Sequence, residues 1–364
     1  MMRVAVLGTG KMARDLGAFY LDRGCELVVA ATDPARLEGL HAELSRRHRR
    51  LARIAPGTAA ATPPQKVLLG ADPPVAVDVA LETTAESPAA KRAVLEAAKP
   101  LLRGAAVATN SSSILPREIR PGLVGAHHFF PAALTGVVEL ICDRDSDPGA
   151  AGALRALATG AGLAVIKEGE ANAFAVNRLL LPLQNEALRA LRAGEPAAAV
   201  DAATISPLCA TGQLSLLDAI GLDVVAAAVD AYLARMPGEA RSAYAELRTG
   251  LGELLALGKR GAKNGDGLAC GASLPWEVRG FPARSEALAA RMRAVHANAC
   301  ARAVEAGELR GDEVDLALDR VFGAAVPLEA ALARARGEGA ARLLAAAYAA
   351  ERLDYLRPSA LLSR

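Results

Sequence analysis

The feature that most constrains the fold is a regular change of pattern along the first half of the chain. From residue 3 to about residue 166, short β-branched runs alternate with longer helical stretches. The clearest strand-like runs are RVAVLG, ELVVAAT, VAVDVALE, AAVATN and VGAHHF. Such alternation is typical of parallel strands joined by crossover helices. After Gly169 the pattern is helical and rich in Ala, Leu and Arg, so the sequence predicts a doubly wound α/β domain followed by an all-α part.

The helical part contains an internal repeat. NEALRALRAGE at residues 185–195 matches NACARAVEAGE at residues 298–308, an offset of 113 residues, and Asp201 then matches Asp315 after one inserted residue. This pattern predicts a duplicated helical domain, with a boundary in the Gly/Pro-rich segment 265–282. The predicted domains are a dinucleotide-binding domain over 1–168, a helical domain over 169–275 and a degenerate second helical repeat over 276–364.

A glycine-rich loop directly follows the first strand-like run. Residues 8–13 read GTGKMA, and the helical stretch 14–23 comes next. This is GxGxxA in the strand-turn-helix context of a dinucleotide fingerprint, where backbone amides and the helix N-terminus approach a pyrophosphate. The α/β domain is therefore predicted to be of the Rossmann type. The residues expected to contact the cofactor here are Gly8, Gly10, Lys11, Met12 and Ala13.

An acidic residue ends the second strand-like run and indicates which cofactor binds. Asp33 follows the run ELVVAAT, where a carboxylate accepts both ribose hydroxyls of NAD and repels a 2′-phosphate. The sequence therefore favours NAD. The nearby Arg36 leaves NADP open as an alternative, and Asp33 ahead of Pro34 also fits an ordinary helix N-cap.

Composition and charge exclude several other classes. The 42 Lys and Arg nearly cancel the 40 Asp and Glu, and a net charge of +2 predicts neither a nucleic-acid partner nor a membrane surface. The five cysteines have no CxxC pair, which predicts a reducing compartment and no metal site. The opening MMRVAVLG lacks the features of a signal peptide, so the expected location is cytoplasmic.

Four later segments carry a more specific signal. They are LETTAESPAAK (81–91), ATNSSSIL (108–115), GAHHFFPAALTGVVELI (125–141) and FAVNRLLLP (174–182). In this order they resemble the 3-hydroxyacyl-CoA dehydrogenase family, whose runs read approximately EAVxExxxxK, SNTSSL, GxHFFNPxxxxxLVEVI and FxxNRLLxP. GKRGAKNGDG (258–267) is similar to the family's GxxGxKxGxG run, so the resemblance covers nearly the whole chain.

The third segment implies the catalytic pair. In the family a His and its partner Glu lie twelve residues apart, as His127 and Glu139 do here. Oxidising a secondary alcohol requires a base near neutral pKa, and a carboxylate on the other imidazole nitrogen orients the ring. This sequence reads HHFFP where the family reads HFFNP, so a slip of one residue makes His128 the alternative base. On a strand the two histidines point to opposite faces, and only one can reach the cofactor.

The resemblance also implies residues around this pair. Ser112 is expected to hold the substrate oxygen, Asn110 to shape the same loop beside the cofactor, and Asn177 to contact the substrate. Glu86 is expected near the nicotinamide ribose, with Lys91 on the cofactor side or in a structural ion pair. An ST-turn for Ser112, a helix-start role for Asn177 and solvated helix charges for Glu86 and Lys91 are the structural alternatives.

The densest basic run, SRRHRRLAR at 45–53, lies where the family contacts coenzyme A. Arg46 and Arg50 are therefore candidates for binding CoA phosphates or an acidic acyl carrier protein, with a solvated helical face as the alternative. Departures at 210–218 and at Ala173 suggest a specialised paralogue.

The activity implied is interconversion of (S)-3-hydroxyacyl and 3-oxoacyl thioesters with NAD. Its alternatives are the same chemistry on a carrier-protein thioester or free hydroxy acid, and a non-catalytic NAD-binding relative. A tandem helical domain further suggests a monomer with an internal pseudo-dimer, or else a homodimer.

Overall fold

A computed structural model of the chain describes residues 2–54, 62–70, 73, 75–169, 173–268 and 286–363, and only the backbone of residues 167 and 168. The chain divides into two compact units, Met1–Phe174 and Ala175–Arg364. The predicted boundary between the helical repeats, 265–282, falls mostly outside the described residues. The three domain ranges proposed from the sequence stay a prediction.

The first unit is built on one eight-stranded sheet. Its strands are β1 (Arg3–Leu7), β2 (Glu26–Ala31), β3 (Gln65–Leu68), β4 (Val79–Glu82), β5 (Ala106–Thr109), β6 (Val124–His128), β7 (Val137–Cys142) and β8 (Ala164–Gly169). The spatial order is β3-β2-β1-β4-β5-β6-β7-β8. The first six strands are parallel and follow the 3-2-1-4-5-6 order of a dinucleotide-binding fold. The predicted Rossmann-type fold class is confirmed.

Among the described residues of the first unit, the helices that accompany this sheet are α1 (Lys11–Asp22), α2 (Pro34–Ile54), α3 (Pro88–Ala97), α4 (Pro116–Ile119), α5 (Ala132–Thr135) and α6 (Pro148–Gly160). Successive strand residues feed opposite cores, so Val4 and Val6 pack with α1, α2 and α6, whereas Ala5 and Leu7 pack with residues of α3 and α4. A sheet buried on both faces explains why its strands are apolar along their whole length.

The sheet differs from the expected all-parallel arrangement at one point. β7 pairs antiparallel with β6, and β8 then pairs parallel with β7. Only residues 129–136 connect β6 to β7, and the helix within them, α5, has four residues. A parallel crossover needs a dozen or more residues, so this short connection forces the chain to return antiparallel.

The second unit is helical. Its helices are α7 (Ala175–Arg178), α8 (Leu181–Arg192), α9 (Ala197–Thr204), α10 (Gln213–Ile220), α11 (Leu222–Arg235), α12 (Gly238–Ser242), α13 (Ala245–Ala256), α14 (Glu286–Glu305), α15 (Gly311–Arg320), α16 (Leu328–Gly337) and α17 (Ala340–Glu351). Its described residues show isolated β-bridges and no strand. No helix in the described part of the chain is long and apolar enough to cross a membrane.

The repeat seen in the sequence has structural counterparts. Asp201 Oδ1 accepts from the backbone N of Leu214 at the start of α10 (2.8 Å), and Asp315 Oδ1 accepts from the backbone N of Leu328 at the start of α16 (2.6 Å). In each case the acceptor and donor are 13 residues apart. The paired aspartates therefore cap equivalent helices in the two halves of the unit.

Candidate active site

The glycine-rich loop joins β1 to α1. Gly8 has φ +126°, and a Cβ built on it would lie 3.0 Å from Thr83 Oγ1. Gly10 precedes the helix, and a Cβ there would meet no described atom within 4 Å. Gly8 is thus required by the fold itself, whereas the space beside Gly10 is open to a ligand. The first backbone amides of α1 follow Gly10 directly, and free amides at a helix N-terminus are the groups that bind a dinucleotide pyrophosphate.

Asp33 lies between β2 and α2 at the same edge of the sheet. Its Oδ1 accepts from the backbone N of Ala35 and of Arg36, both at 3.0 Å, so it caps α2. Its Oδ2 lies 3.6 Å from Arg36 Nε. Asp33 is half exposed, with a side-chain exposure of 50%, so capping and contact with a ribose are compatible. Both interpretations of this residue stay open.

A buried charge network follows β4. Lys91 is 1% exposed, and its Nζ lies 3.0 Å from Glu82 Oε2 and 3.3 Å from Glu86 Oε2. Glu82 is fully buried and also accepts from Thr109 Oγ1 at 2.7 Å. A buried lysine with two carboxylates is satisfied by the protein itself. Lys91 forms a buried ion pair with Glu82 and with Glu86, and its predicted role on the cofactor side stays a prediction.

Glu86 organises the serine turn after β5. Its Oε1 accepts from Ser111 Oγ (2.6 Å), from the backbone N of Ser112 (2.9 Å) and from both N and Oγ of Ser113 (3.0 and 2.9 Å). Burial works to raise the pKa of Glu86, but the charge of Lys91 and the serine hydrogen bonds hold it below its usual value. Ser111 and Ser113 are buried, whereas Ser112 is half-buried. The distance from Ser112 Oγ to Glu86 Oε1 is 3.3 Å, longer than the other contacts of this carboxylate with the turn.

The central pair of the site is formed across the antiparallel strands. His127 of β6 stands opposite Glu139 of β7 in the register, and His127 Nδ1 lies 2.5 Å from Glu139 Oε2. Glu139 is fully buried and the His127 side chain is 7% exposed. The rings of Phe129 and Phe174 flank the imidazole at centroid distances of 4.5 and 5.9 Å. A carboxylate that holds Nδ1–H leaves Nε2 as the proton acceptor of the ring.

Comparison with known families shows to which family this chain belongs. The family model described as "3-hydroxyacyl-CoA dehydrogenase, NAD binding domain" matches residues 3–171, and "3-hydroxyacyl-CoA dehydrogenase, C-terminal domain" matches residues 174–269. The chain belongs to the 3-hydroxyacyl-CoA dehydrogenase family. The predicted family is confirmed, and the match of residues 3–171 to a model described as NAD-binding confirms the predicted NAD cofactor.

Relatives of this dehydrogenase family show similarity in sequence and fold. The chain is 35% identical over 123 residues to the fatty acid oxidation complex subunit alpha of Vibrio cholerae, covering 32% of this chain and 17% of that protein. The chain thus spans about a sixth of the length of that relative. Crystal structures of 3-hydroxybutyryl-CoA dehydrogenases from Escherichia coli K12 and Ralstonia eutropha share the fold, with TM-scores of 0.76 and 0.62. Their identities are 18% and 22%, and they cover 100% and 77% of this chain and 97% and 99% of their own.

This family member departs from the usual pattern at His128. Its Nδ1 lies 2.9 Å from both Asn110 Oδ1 and Ala126 O, and its Nε2 lies 2.8 Å from Tyr20 OH. Complete burial lowers its pKa to about 3. Both nitrogens are thus engaged by the protein, on the face of the sheet that packs against α1. This geometry argues against the alternative assignment of His128 as the base.

The remaining candidates lie on two helices, α7 and α2. Asn177 lies in α7, where its Nδ2 donates to Tyr232 OH at 3.3 Å. Arg46 and Arg50 are exposed on one face of α2 and have no acidic partner among the described residues. Their predicted contacts with substrate stay predictions. The described residues contain no group of His, Cys, Asp or Glu able to hold a metal ion.

Sequence reasoning missed three supporting residues. Phe129 lies two residues after His127 on the same side of the chain, a spacing that signals a shared face. Tyr20 on α1 and Thr109 on β5 gave no local signal, because their partners are 108 and 27 residues away.

Proposed function

We propose that the protein interconverts (S)-3-hydroxyacyl thioesters and 3-oxoacyl thioesters, with His127 as the general base. The observation that carries this proposal is the buried hydrogen bond between His127 Nδ1 and Glu139. NAD, when bound, supplies the hydride acceptor for this oxidation. Gly8, Gly10 and the start of α1 hold its pyrophosphate in this proposal, and Asp33 holds a ribose.

The chain's own residues then account for the proton. Oxidising CH–OH to C=O releases a hydride from carbon and a proton from oxygen. His127 Nε2 takes the hydroxyl proton, and Glu139 stabilises the resulting imidazolium through Nδ1–H. In the reverse direction the same imidazolium returns the proton to the carbonyl oxygen. Ser112, held by Glu86 in a half-buried turn, is proposed to donate its hydroxyl to the substrate oxygen.

The carrier of the acyl group is proposed to be anionic. Arg46 and Arg50 are exposed and have no acidic partner among the described residues, so they are available to phosphate or carboxylate groups. Coenzyme A is the proposed carrier, and an acidic acyl carrier protein is the second candidate on the same observation. A free hydroxy acid carries a single carboxylate, so of the three candidates it makes the least use of two arginines.

The test follows NADH absorbance with acetoacetyl-CoA, with a carrier-linked acetoacetyl thioester and with free acetoacetate. We expect turnover with a thioester, and His127→Ala to lower kcat about 10²- to 10⁴-fold. His41→Ala is the matched control, since His41 lies in α2 and its Nε2 contacts Pro64 O. A His127→Ala protein of near wild-type activity contradicts the base assignment. NADH binding without turnover of any of the three substrates contradicts the proposed reaction and favours a non-catalytic relative.

The helical repeat suggests the proposed oligomeric state. Arg291 of α14 pairs with Glu186 of α8 and with Glu351 of α17, and Arg189 of α8 also pairs with Glu351. These contacts join the two repeats within one chain, and we propose a monomer with an internal pseudo-dimer. Sedimentation as an obligate homodimer contradicts this. We also propose a cytoplasmic location, because the five cysteines include no CxxC pair and their scattered positions fit a reducing compartment.

A further inference from the structure

His128 lies at the centre of a hydrogen-bonded chain that the proposed reaction does not use. The chain runs from Tyr20 in α1 through His128 in β6 to Asn110 at the end of β5. Tyr20 is 1% exposed, His128 3% and Asn110 9%. A buried network of hydrogen-bonded side chains fixes the orientation of each of its members, so these three groups specify one arrangement.

The partners of His128 fix where its proton lies. Nδ1 faces two hydrogen-bond acceptors, the backbone oxygen of Ala126 and the amide oxygen Oδ1 of Asn110. Nδ1 therefore carries the hydrogen of the neutral ring. In the neutral ring Nε2 is then an acceptor, and it receives the hydroxyl of Tyr20 at 2.8 Å. Burial favours this neutral form, since it lowers the pKa of His128 to about 3.

This arrangement determines the orientation of the Asn110 amide. Asn110 Oδ1 accepts from the backbone N of His128 at 3.0 Å and from His128 Nδ1 at 2.9 Å. An amide whose oxygen receives two N–H donors cannot turn over without placing its NH2 against those donors. Its Nδ2 therefore points away from His128, and it has no hydrogen-bond partner among the described residues. The donor group lies at the carboxyl edge of the sheet, next to the serine turn that Glu86 holds.

We propose that His128 is a positioning residue which, together with Tyr20, locks the Asn110 amide so that Nδ2 donates to a carbonyl oxygen of the bound ligand. This inference rests on the proposed function, which places the cofactor and substrate at this edge. The acceptor is the carboxamide oxygen of the nicotinamide or the carbonyl oxygen of the substrate. A turned amide would present Oδ1 to that carbonyl oxygen and leave both acceptors unsatisfied.

Two substitutions at position 128 distinguish the hydrogen bond of His128 to Asn110 from its hydrogen bond to Tyr20. In His128→Asn the side-chain Nδ2 takes the place of the imidazole Nδ1 and keeps the donor to Asn110. In His128→Gln the Nε2 or Oε1 atom reaches toward Tyr20, and the side-chain donor to Asn110 is lost, so that Oδ1 keeps only the backbone N–H of residue 128. We expect His128→Gln to weaken ligand binding about 10- to 100-fold, the range that follows from one misdirected buried polar group. His128→Asn should stay within about threefold of wild type, on the same scale.

The measurements are the Kd of NADH by fluorescence without substrate, and kcat and KM for acetoacetyl-CoA at saturating NADH. A raised Kd for NADH identifies the carboxamide as the acceptor, whereas a raised KM alone identifies the substrate carbonyl. Thermal unfolding of each variant shows that it is folded. Tyr20→Phe removes the hydroxyl that contacts His128 Nε2. Its effect on ligand binding should lie between the effects of His128→Asn and His128→Gln.

The decisive arm is a double-mutant cycle with Asn110→Ala. If His128 acts through Asn110, His128→Gln adds less than about twofold to the effect of Asn110→Ala, because the two changes remove one interaction. Effects that multiply, or a folded His128→Gln with unchanged NADH Kd and unchanged KM, overturn the proposal. If the wild type binds NADH without turnover, the proposed function has failed, and the NADH arm decides alone: an unchanged Kd in His128→Gln then overturns the positioning role.

Discussion

The buried pair of Lys91 and Glu82 gives the sharpest prediction for stability. Lys91 is 1% exposed and Glu82 is fully buried, and their charged atoms lie 3.0 Å apart. Lys91→Met keeps the length of the side chain and removes its charge. The carboxylate of Glu82 then stays buried with hydroxyl donors such as Thr109 Oγ1 but without a counter-charge in contact. Breaking a buried pair in this way costs about 3–5 kcal/mol.

Two further variants show whether this cost arises from the unpaired charge. Lys91→Met with Glu82→Gln removes both charges and keeps an acceptor for Thr109, so it should be clearly less destabilising than Lys91→Met alone. The matched control is Lys99→Met. Lys99 also pairs with a glutamate, Glu96, but both side chains are about two-thirds exposed, and such a surface pair contributes about 0–1 kcal/mol.

The assay is urea unfolding at pH 7 followed by far-UV circular dichroism. We expect the free energy of unfolding to fall by about 4 kcal/mol in Lys91→Met and by less than about 1 kcal/mol in Lys99→Met. A loss in Lys91→Met no larger than in Lys99→Met refutes the reasoning. If that variant instead keeps its stability and loses only NADH affinity, Lys91 acts on the cofactor side, which was the other role predicted from the sequence.

Three further predictions follow from the structure. Gly10→Ala should have a free energy of unfolding within about 1 kcal/mol of wild type, since the added Cβ meets no described atom, but should raise the Kd of NADH about tenfold or more. Gly8→Ala, at φ +126°, should instead lower the free energy of unfolding by about 1–3 kcal/mol. Equal losses of stability in the two variants would contradict this. Burial lowers the pKa of His128 in the folded protein to about 3, against an ordinary value of 6.5. Below pH 6.5 the unfolded chain binds a proton that the folded protein does not bind, so the contribution of His128 to the free energy of unfolding falls by about 1.4 kcal/mol per pH unit. The stability difference between wild type and His128→Phe should thus shrink by about 2 kcal/mol from pH 7 to pH 5 in urea unfolding, and a constant difference contradicts the argument. Asp201→Ala and Asp315→Ala should each lose about 1 kcal/mol in the same assay because each leaves the N-terminus of a helix uncapped, and a loss confined to one of them argues against equivalent roles in the two repeats.

The fold class could be predicted because its signals are local. The GxGxxA loop, the alternation of strands and helices, and the end of the strands near Gly169 each depend on a short stretch of sequence. The antiparallel β7 was outside that prediction, since the direction of a strand depends on the length of its connection and on which partner is available. The spacing of His127 and Glu139 predicted the pair, but through a family resemblance and not through a rule of local structure.

The network around Asn110 could not have been predicted in the same way. Tyr20 and His128 are 108 residues apart in sequence, and their contact exists only because α1 packs against the face of the sheet to which His128 points. A second histidine beside His127 reads, in the sequence alone, as an alternative base. Its burial and its two engaged nitrogens give it a different kind of role, and only tertiary structure supplies that information.

The antiparallel turn at α5 also makes the hydrogen-bonded pair of His127 and Glu139 possible. In the register of β6 and β7, Gly125 stands opposite Ile141 and His127 opposite Glu139, so the separation of twelve residues follows from the length of the connection. A slip of one residue in this pairing would turn Glu139 to the other face of the sheet and place an apolar neighbour, Val138 or Leu140, beside His127. Glu139 would then be a buried carboxylate without its imidazole, which costs several kcal/mol. The hydrogen bond between His127 and Glu139 therefore also penalises the wrong register, so the proposed chemistry and folding favour the same alignment of these two strands.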